Sequence, residues 1–243
     1  MFATRFLNFY ASPSAYTTRR KLNKLRNAHV GETAVILCNG PSLTDIDFNC
    51  LKGTFCFGLN KINLLFSHTD FRPSCVVAVN NLVIEQNKKY FSEIDIPLFV
   101  DSINARRVLS PNQNHVHLCC YEKGFSLDPR IYVSQGGTVT FVAMQLAFFM
   151  GFKNVALIGC DHHFQFVGHP HEELQCGTRD PNHFHADYFA GCKWHSPDLE
   201  MSEKSYQEAF KVFHKFKRRL VNCSTKTELK TLPRMDLLSL LSL

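Results

Sequence analysis

The stretch TAVILCNGPSL, residues 33–43, decides the fold class of this chain. Its first half, TAVILC, is a short continuous apolar run, typical of a strand that is buried on both faces of a parallel sheet. Its second half, NGPSL, places a glycine at a turn, a proline suited to the first turn of a helix and a serine near the helix cap. Such a turn presents free backbone N–H groups to an anion such as a phosphate. An ordinary turn and helix cap explains the same residues, so both interpretations stay open at this point.

Apolar runs of similar length recur along the chain, and helical segments separate them. The further predicted strands are Thr54–Leu59, Cys75–Val79, Pro97–Val100, His115–Cys119, Val155–Gly159 and Leu220–Cys223. The predicted helices are a basic one over residues 19–28, then Ser42–Leu51, Leu82–Phe91, Thr138–Gly151, Ser202–Leu220 and a short one from Pro233. Buried strands that alternate with helices predict an α/β fold with a Rossmann-like, mostly parallel sheet flanked by helices.

One long segment, residues 162–200, interrupts this alternation. Glycines and prolines are spread along it, and it shows no helical or strand periodicity. It carries seven of the twelve histidines, at positions 162, 163, 169, 171, 183, 185 and 195. Irregular loops of this length in compact domains are usually lids or binding loops. The sequence therefore predicts an irregular, His-rich lid inserted into the fold.

The net charge of +6 is concentrated at the N-terminus. Six basic residues and no acidic residue precede Glu32, so the remainder of the chain is electrically balanced. A nucleic-acid-binding domain is expected to spread basic residues over its surface, so we expect no nucleic-acid partner. We expect a basic N-terminal arm, residues 1–28, and a single nucleotide-binding domain, residues 29–243. The arm either rests on an anionic membrane surface or packs on the domain or in an oligomer interface.

Targeting and redox features predict a cytoplasmic protein. No apolar run reaches the roughly 18 residues of a membrane span, and residues 1–16 lack the apolar core of a secretory signal. The ten cysteines include no CxxC pair. Six of them, Cys38, Cys56, Cys75, Cys119, Cys120 and Cys160, lie in or beside apolar runs, where a free cysteine packs as a small hydrophobe.

Polar residues follow three of the predicted strands. Asn39 and Asn60 come directly after the first and second strands, and Asp161 closes a Gly-Cys-Asp segment after the strand at 155–159. A glycine turn at 134–138 opens the apolar helix that leads into that strand. Because ligands of open parallel sheets bind at the carboxyl ends of the strands, these residues are expected to line one crevice. An asparagine or glycine at such a position also serves an ordinary turn.

The lid segment Asp180–Phe189 contains the candidate general bases His183 and His185. Aspartates 161, 180 and 187 are candidate partners that would orient an imidazole. The lid histidines and cysteines are potential zinc ligands, but no four of them have a recognisable ligand spacing and no HExxH motif occurs. We therefore assign no metal site from the sequence.

Taken together, these motifs resemble the bacterial sialyltransferases of glycosyltransferase family 42. The resemblance rests on NGPSL after the first strand, an asparagine after the second, the glycine turn before an apolar helix, the Gly-Cys-Asp strand end and the His-bearing lid. The pattern is also similar to the DUF115 proteins and to the 6-hydroxymethylpterin diphosphokinases of the same superfamily. It covers about residues 30–225.

The resemblance implies transfer of a sialic acid-like sugar from a CMP-activated donor to a hydroxyl of a glycan or glycolipid, without a required cofactor. It implies a donor-binding set made of Asn39, Gly40, Ser42, Asn60, Gly137, Thr138 and Asp161. It also implies that His183 is the general base, since an imidazole near neutral pH can take the proton of the acceptor hydroxyl.

One departure from the family pattern affects the expected activity. The sialyltransferases place a tyrosine near the leaving phosphate, and this chain has His163 there. We expect His163 or Tyr188 near the leaving group, with His185 as a further catalytic candidate. Two alternatives remain open: a diphosphokinase in which Mg²⁺ bridges phosphates and Asp161, and a non-catalytic nucleotide- or zinc-binding module. The acceptor and the oligomeric state are not decided by the sequence.

Overall fold

The computed structural model describes residues 9–165 and 168–243. Within these residues the strands are β1 Thr33–Leu37, β2 Phe55–Leu59, β3 Cys75–Ala78, β4 Leu98–Asp101, β5 His115–Leu118, β6 Asn154–Ile158, β7 Glu173–Gln175, β8 Lys193–His195 and β9 Arg219–Asn222. The helices are α1 Pro13–Leu25, α2 Asn81–Gln86, α3 Lys88–Glu93, α4 Ser102–Val108, α5 Val139–Met150, α6 Leu199–Lys215 and α7 Leu237–Leu241. Short 3₁₀ helices occupy Pro41–Asp45, Phe48–Leu51 and Ile62–Ser67.

Seven strands form one parallel sheet in the order β5-β4-β3-β2-β1-β6-β9. The chain adds β2 to β5 on one side of β1, then returns to place β6 on the other side. The direction of winding therefore reverses between β1 and β6, where Leu37 pairs with Ile158. Ligands of open α/β sheets bind outside the carboxyl ends of the strands at such a switch point. The predicted parallel α/β fold is confirmed.

Helices cover both faces of the sheet because successive strand residues point to opposite sides. Ile36 packs in the core under α1, α5 and α6, and its neighbours Val35 and Leu37 pack under α2, α3, α4 and α7. Helix α5 is buried almost all round, since the sheet covers one side and α6 packs on it as well. It ends at Gly151, whose φ of 100° is a left-handed conformation that glycine adopts at little cost.

Two predicted helices are shorter and more broken than expected. The predicted helix at 42–51 is replaced by two 3₁₀ helices, because Asp47 interrupts the segment and its side chain accepts a hydrogen bond from the N–H of Asn49 at 3.0 Å. The predicted helix at 82–91 is divided at Asn87, whose φ of −109° and ψ of 18° end α2 before α3 begins. The short helix α4 and the 3₁₀ helix Ile62–Ser67 were not predicted.

The lid is less irregular than the sequence indicated. Strands β7 and β8 form an antiparallel hairpin, with Leu174 opposite Trp194. Alternation over only three residues is too short to recognise by periodicity. The predicted helix at 202–220 begins earlier, at Leu199, because Asp198 caps it by accepting a hydrogen bond from the N–H of Met201 at 2.8 Å.

The basic helix of the N-terminal arm lies against the edge of the sheet. It begins six positions earlier than predicted and covers β5, the last strand on that side. Leu22 is buried, the Oγ1 of Thr18 accepts a hydrogen bond from the N–H of His117 at 3.0 Å, and the Nζ of Lys21 donates to the carbonyl of His115 at 2.8 Å. The helix thus protects the hydrogen-bonding edge of β5. The boundary at residue 28 stays a prediction, and residues 1–8 of the arm lie outside the described residues.

The described residues include no helix that is long and apolar enough to cross a membrane. None of the ten cysteines, which all lie in the described part of the chain, forms a disulfide, and the six that lie in or beside apolar runs are buried, as predicted.

Candidate functional site

A cavity of about 350 Å³ lies at the switch point, between the carboxyl ends of the strands and the lid. Eight of the residues predicted for the site line it: Asn39, Gly40, Asn60, Gly137, Thr138, Asp161, His163 and His183. Three predicted site residues do not line it: Ser42, His185 and Tyr188. The cavity is bounded by β1, β2, β3 and β6 on the sheet side and by β8 and the start of α6 on the lid side.

The turn after β1 is closed by the carboxylate of Asp161. The N–H of Ser42 donates to Oδ2 of Asp161 at 2.8 Å, and the Ser42 hydroxyl donates to the other carboxylate oxygen. A Cβ atom on Gly40 would lie 2.7 Å from Cγ of Asp161 and from the carbonyl oxygen of Gly159, so only glycine fits there. Ser42, which was predicted to bind the nucleotide, is buried, does not line the cavity and holds Asp161 in place.

Two asparagines present unpartnered oxygens at the cavity. The Oδ1 atoms of Asn39 and Asn60 are buried and have no hydrogen-bond partner among the described residues. The amide of Asn60 also contacts the hydroxyl of Tyr188, which leaves its oxygen for another group. Buried acceptors in native proteins are nearly always satisfied, so a ligand with hydroxyl or amino hydrogens fits these positions.

His183 forms a hydrogen-bonded pair with Asp180 in the lid. Its Nδ1 lies 2.8 Å from Oδ2 of Asp180, whose side chain is only 2% exposed. Burial raises the pKa of the Asp180 carboxyl, but hydrogen bonds from His183 and from the backbone of Asn182 outweigh it, so the pKa lies below its usual value. An ionised Asp180 fixes the proton on Nδ1 of the neutral imidazole and leaves Nε2 as the basic nitrogen.

Tyr188 supports the imidazole from behind. Its ring is stacked on the His183 ring, with centroids 4.1 Å apart and an interplanar angle of 5°. The side chain is fully buried, and burial raises the pKa of Tyr188. Tyr188 was predicted to lie near a leaving phosphate. In the structure it does not line the cavity, and its hydroxyl accepts a hydrogen bond from the N–H of Lys61 at 3.3 Å.

Lys61 is a buried cation that the sequence analysis missed. Its Nζ donates to the carbonyl of Tyr188 at 2.6 Å and to Oε1 of Gln86 at 2.8 Å, and lies 4.5 Å from the centre of the Phe189 ring. Burial lowers the pKa of Lys61. The ammonium therefore ties the His183 loop to β2 and α2. Its place directly after Asn60 was the only signal in the sequence.

The other predicted catalytic histidines lie at the rim or outside. His163 is at the rim of the cavity, with its side chain 58% exposed and Nδ1 2.9 Å from Oε1 of Glu228. His185 lines a separate surface groove and its ring lies 5.6 Å from that of His68. His185, a predicted catalytic residue, therefore lies outside the cavity that His183 lines.

The glycine turn before α5 holds a carboxylate of its own. Glu122 accepts hydrogen bonds from the hydroxyl of Ser134 at 2.8 Å and from the N–H groups of Gln135 and Gly136 at 3.1 and 3.2 Å. Thr138 caps α5 by accepting the N–H of Thr140. Gly137 and Thr138 still line the cavity. The N–H groups of Gln135 and Gly136, however, already donate to Glu122 and do not face a ligand as free donors.

The charge of the cavity lining is unusual for a site that binds phosphates. Among the described residues, no lysine or arginine lines it, and its basic side chains are five histidines: 162, 163, 171, 183 and 195. Its carboxylates, Glu122, Asp161 and Asp198, each accept hydrogen bonds from nearby residues. Within residues 9–165 and 168–243, no three His, Cys, Asp or Glu side chains are grouped to hold a metal ion.

The fold and cavity together define a Rossmann-like α/β protein with a ligand site at its switch point and a lid. The chain belongs to the MptE-like family, described as "6-hydroxymethylpterin diphosphokinase MptE-like", whose model matches residues 8–166. This confirms the predicted superfamily. The match ends near the start of the lid, so His183 and its supporting residues lie beyond it.

One solved structure with a similar fold is the MAf glycosyltransferase from Magnetospirillum magneticum AMB-1. The TM-score is 0.52 at 14% sequence identity, and the alignment covers 91% of this chain but only 38% of that one. At this identity the likeness concerns the fold. The chain spans well under half the length of that enzyme. No curated protein matches the sequence.

Proposed function

We propose that this protein is a glycosyltransferase that moves a sialic acid-like sugar from a CMP-activated donor to a hydroxyl of a glycan or glycolipid. The observation that carries the proposal is the His183–Asp180 pair at the switch-point cavity, in which Asp180 occupies Nδ1 and no hydrogen bond to Nε2 is seen among the described residues. The proposal places the protein in the cytoplasm. Contact of the basic arm with the inner membrane surface stays a prediction.

The proposed reaction needs one general base. Nε2 of His183 takes the proton of the acceptor hydroxyl while its oxygen attacks the anomeric carbon of the donor. The new C–O bond forms as the bond from that carbon to the phosphate oxygen breaks, and CMP leaves with the bonding electrons. Asp180 stabilises the imidazolium that results. His163 at the rim is the nearest candidate to donate a hydrogen bond to the leaving phosphate.

The lining favours a donor with little phosphate charge. A CMP-linked sugar acid carries one phosphodiester and one carboxylate, whereas ATP carries a triphosphate that enzymes usually neutralise with lysine, arginine and Mg²⁺. Without a lysine or arginine among its described lining residues, the cavity suits the smaller charge. The unpartnered oxygens of Asn39 and Asn60 are placed to accept hydrogen bonds from nucleoside hydroxyl or amino groups.

The family match supports a second candidate, transfer of a diphosphate from ATP to the hydroxymethyl group of a pterin. That reaction also begins with removal of a hydroxyl proton, a role His183 would fill equally well. The residues do not fit a metal site held by the protein, because the carboxylate of Asp161 is engaged by Ser42 and no ligand group of three exists among the described residues. The same observation weakens the zinc-binding alternative.

Ligand binding distinguishes these candidates. We expect CMP and CMP-sialic acid to raise the melting temperature of the protein, and ATP with Mg²⁺ or UDP-sugars to leave it unchanged. A thermal-shift screen of these compounds, with and without EDTA, measures this. A shift by ATP that EDTA abolishes would favour the diphosphokinase and contradict the proposal.

Replacement of the base tests the mechanism. For His183→Ala we expect a loss of roughly 100- to 10,000-fold in the rate of transfer, the usual contribution of a general base. His185→Ala is the matched control, since this lid histidine faces away from the cavity and should keep full activity. Full activity of His183→Ala on a verified donor and acceptor rules out the proposed mechanism.

A further inference from the structure

A second histidine of the cavity, His195, is held by a hydrogen bond from Asn80. His195 ends β8 in the lid, and Asn80 precedes α2 at the carboxyl end of β3. Nδ2 of Asn80 lies 3.0 Å from Nδ1 of His195, and both residues line the cavity. This contact joins the lid hairpin to the sheet.

The orientation of the Asn80 amide is fixed by α2. Asn80 is the N-cap of that helix, and its Oδ1 accepts the N–H of Val83 at 3.2 Å. The other end of the amide, Nδ2, carries only donors and faces His195. Nδ1 of His195 must therefore be the acceptor, so the proton of the neutral ring lies on Nε2.

Strand β8 is anchored to α2 at a second point, which keeps the ring in place. Nε2 of Gln86, at the end of α2, donates to the carbonyl of Lys193 at 2.7 Å. The two anchors hold both ends of the strand that carries His195.

The surroundings of His195 favour its neutral form. Burial lowers the pKa of His195, the carboxylate of Glu173 opposes this, and His171 adds to it. Glu173 is itself paired with Lys193 at 2.6 Å, and His171 lies 3.4 Å from Asp198. Protonation of Nδ1 would also make it a hydrogen-bond donor. It would then face the Nδ2–H donors of Asn80, and this contact is unfavourable.

We propose that His195 is a ligand-binding residue that Asn80 holds as a neutral Nε2–H donor, and that it donates this hydrogen bond to an oxygen of the bound nucleotide. The identity of the ligand rests on the proposed nucleotide function. The tautomer of His195 rests on its contact with Asn80. In a cavity whose described lining has no lysine or arginine, a neutral N–H donor binds an oxygen without requiring proton uptake.

Histidine ¹⁵N NMR measures the tautomer directly. We expect the signals that disappear in His195→Phe to show the Nε2–H tautomer at pH 7. In Asn80→Asp the helix cap is kept but the side chain becomes an acceptor, so we expect the pKa of His195 to rise and its proton to move to Nδ1. A wild-type ring that is protonated on Nδ1 at pH 7 overturns the assignment.

Calorimetric titration with CMP measures the ligand role. We expect His195→Phe to weaken CMP binding by roughly 2- to 12-fold, the contribution of one net hydrogen bond. His195→Gln, which supplies an amide N–H, should recover part of the affinity, and His185→Phe, a lid histidine outside the cavity, should bind like the wild type. If His195→Phe binds CMP with wild-type affinity, the inference about His195 is overturned and the proposed nucleotide function is not affected. Absence of CMP binding by the wild-type protein overturns the nucleotide function, and with it the proposed ligand of His195.

Discussion

His183 is held by contacts that come from three parts of the chain. Asp180 orients its Nδ1, the ring of Tyr188 stacks on its face, and Lys61 anchors Tyr188 to the end of β2. Each contact is a single hydrogen bond or ring contact, but together they restrict the imidazole to one orientation toward the cavity. A base held in this way loses little conformational entropy when the substrate binds. The buried ammonium of Lys61 is the least obvious member of this set and the easiest to test.

For Lys61→Met we expect the loop at 183–189 to loosen, because the carbonyl of Tyr188 loses its buried donor, at a cost of about 1–3 kcal/mol in the free energy of unfolding. Trp194 is the only tryptophan, is buried, and lies 6.1 Å from the Phe189 ring. Its fluorescence emission should shift to the red, and urea unfolding should give the stability. The control Lys193→Met removes an exposed lysine from the same lid and should leave both unchanged. An unchanged emission spectrum in Lys61→Met would contradict the role given to this residue.

At the scale of elements, the edge strand β5 has its hydrogen-bonding edge covered by a helix and carries a histidine whose protonation destabilises the fold. Helix α1, in the basic segment that the sequence presents as an arm, covers its hydrogen-bonding edge through Thr18 and Lys21. The same strand carries His115 and His117, whose ring centroids lie 5.9 Å apart, and Nε2 of His115 lies 2.7 Å from the carbonyl oxygen of Phe91 in α3. Burial lowers the pKa of His117 to about 4, and the neighbouring His115, Arg106 and Lys21 add to the effect.

The stability of the protein is therefore expected to fall in mild acid. The folded pKa of His117 is below the unfolded value of 6.5, so the unfolded state binds more protons between about pH 6.5 and 4. The contribution is fully present above pH 6.5 and is lost as the pH falls through 4, to a limit of roughly 3 kcal/mol. In His117→Gln we expect a flatter dependence of the free energy of unfolding on pH, measured by urea denaturation from pH 4 to 7.5. The exposed His68→Gln serves as control, and an equal flattening in both variants would refute the assignment.

At the scale of the whole molecule, the region matched by the family model leaves out parts of the sheet and of its helical cover. Residues 8–166 include β1 to β6 and α5, but β9 and α6 come later in the chain. Strand β9 pairs with β6, and α6 packs on the helix α5, which is buried almost all round. The lid that carries His183 also follows the matched region. Fold and site therefore depend on the part of the chain that the family model does not reach.

A fragment of residues 1–166 is expected not to fold into a stable monomer. It would expose the edge of β6 and the side of α5 that α6 covers, including Ala143 and Phe148. Size-exclusion chromatography and the cooperativity of urea unfolding, compared with the full chain, test this. A monomeric fragment with a cooperative transition would show that the C-terminal elements are dispensable for folding.

The sequence by itself determined the parallel sheet, the edge of the sheet at which the cavity lies and eight of the residues that line it, from Asn39 to His183. It could do so because strands buried on both faces leave continuous apolar runs, and because the residues after such strands meet at one edge of the sheet. Only the tertiary structure decided which polar side chains pair: Asp161 with Ser42, Lys61 with Tyr188 and Asn80 with His195. These partners lie far apart in the chain and have no common periodicity. The pairing of β1 with β6 brings Asp161 to Ser42, and the packing of the lid on the sheet forms the other two pairs. For the same reason Tyr188 and His185, adjacent to the candidate base in sequence, were predicted for the site and lie outside its cavity.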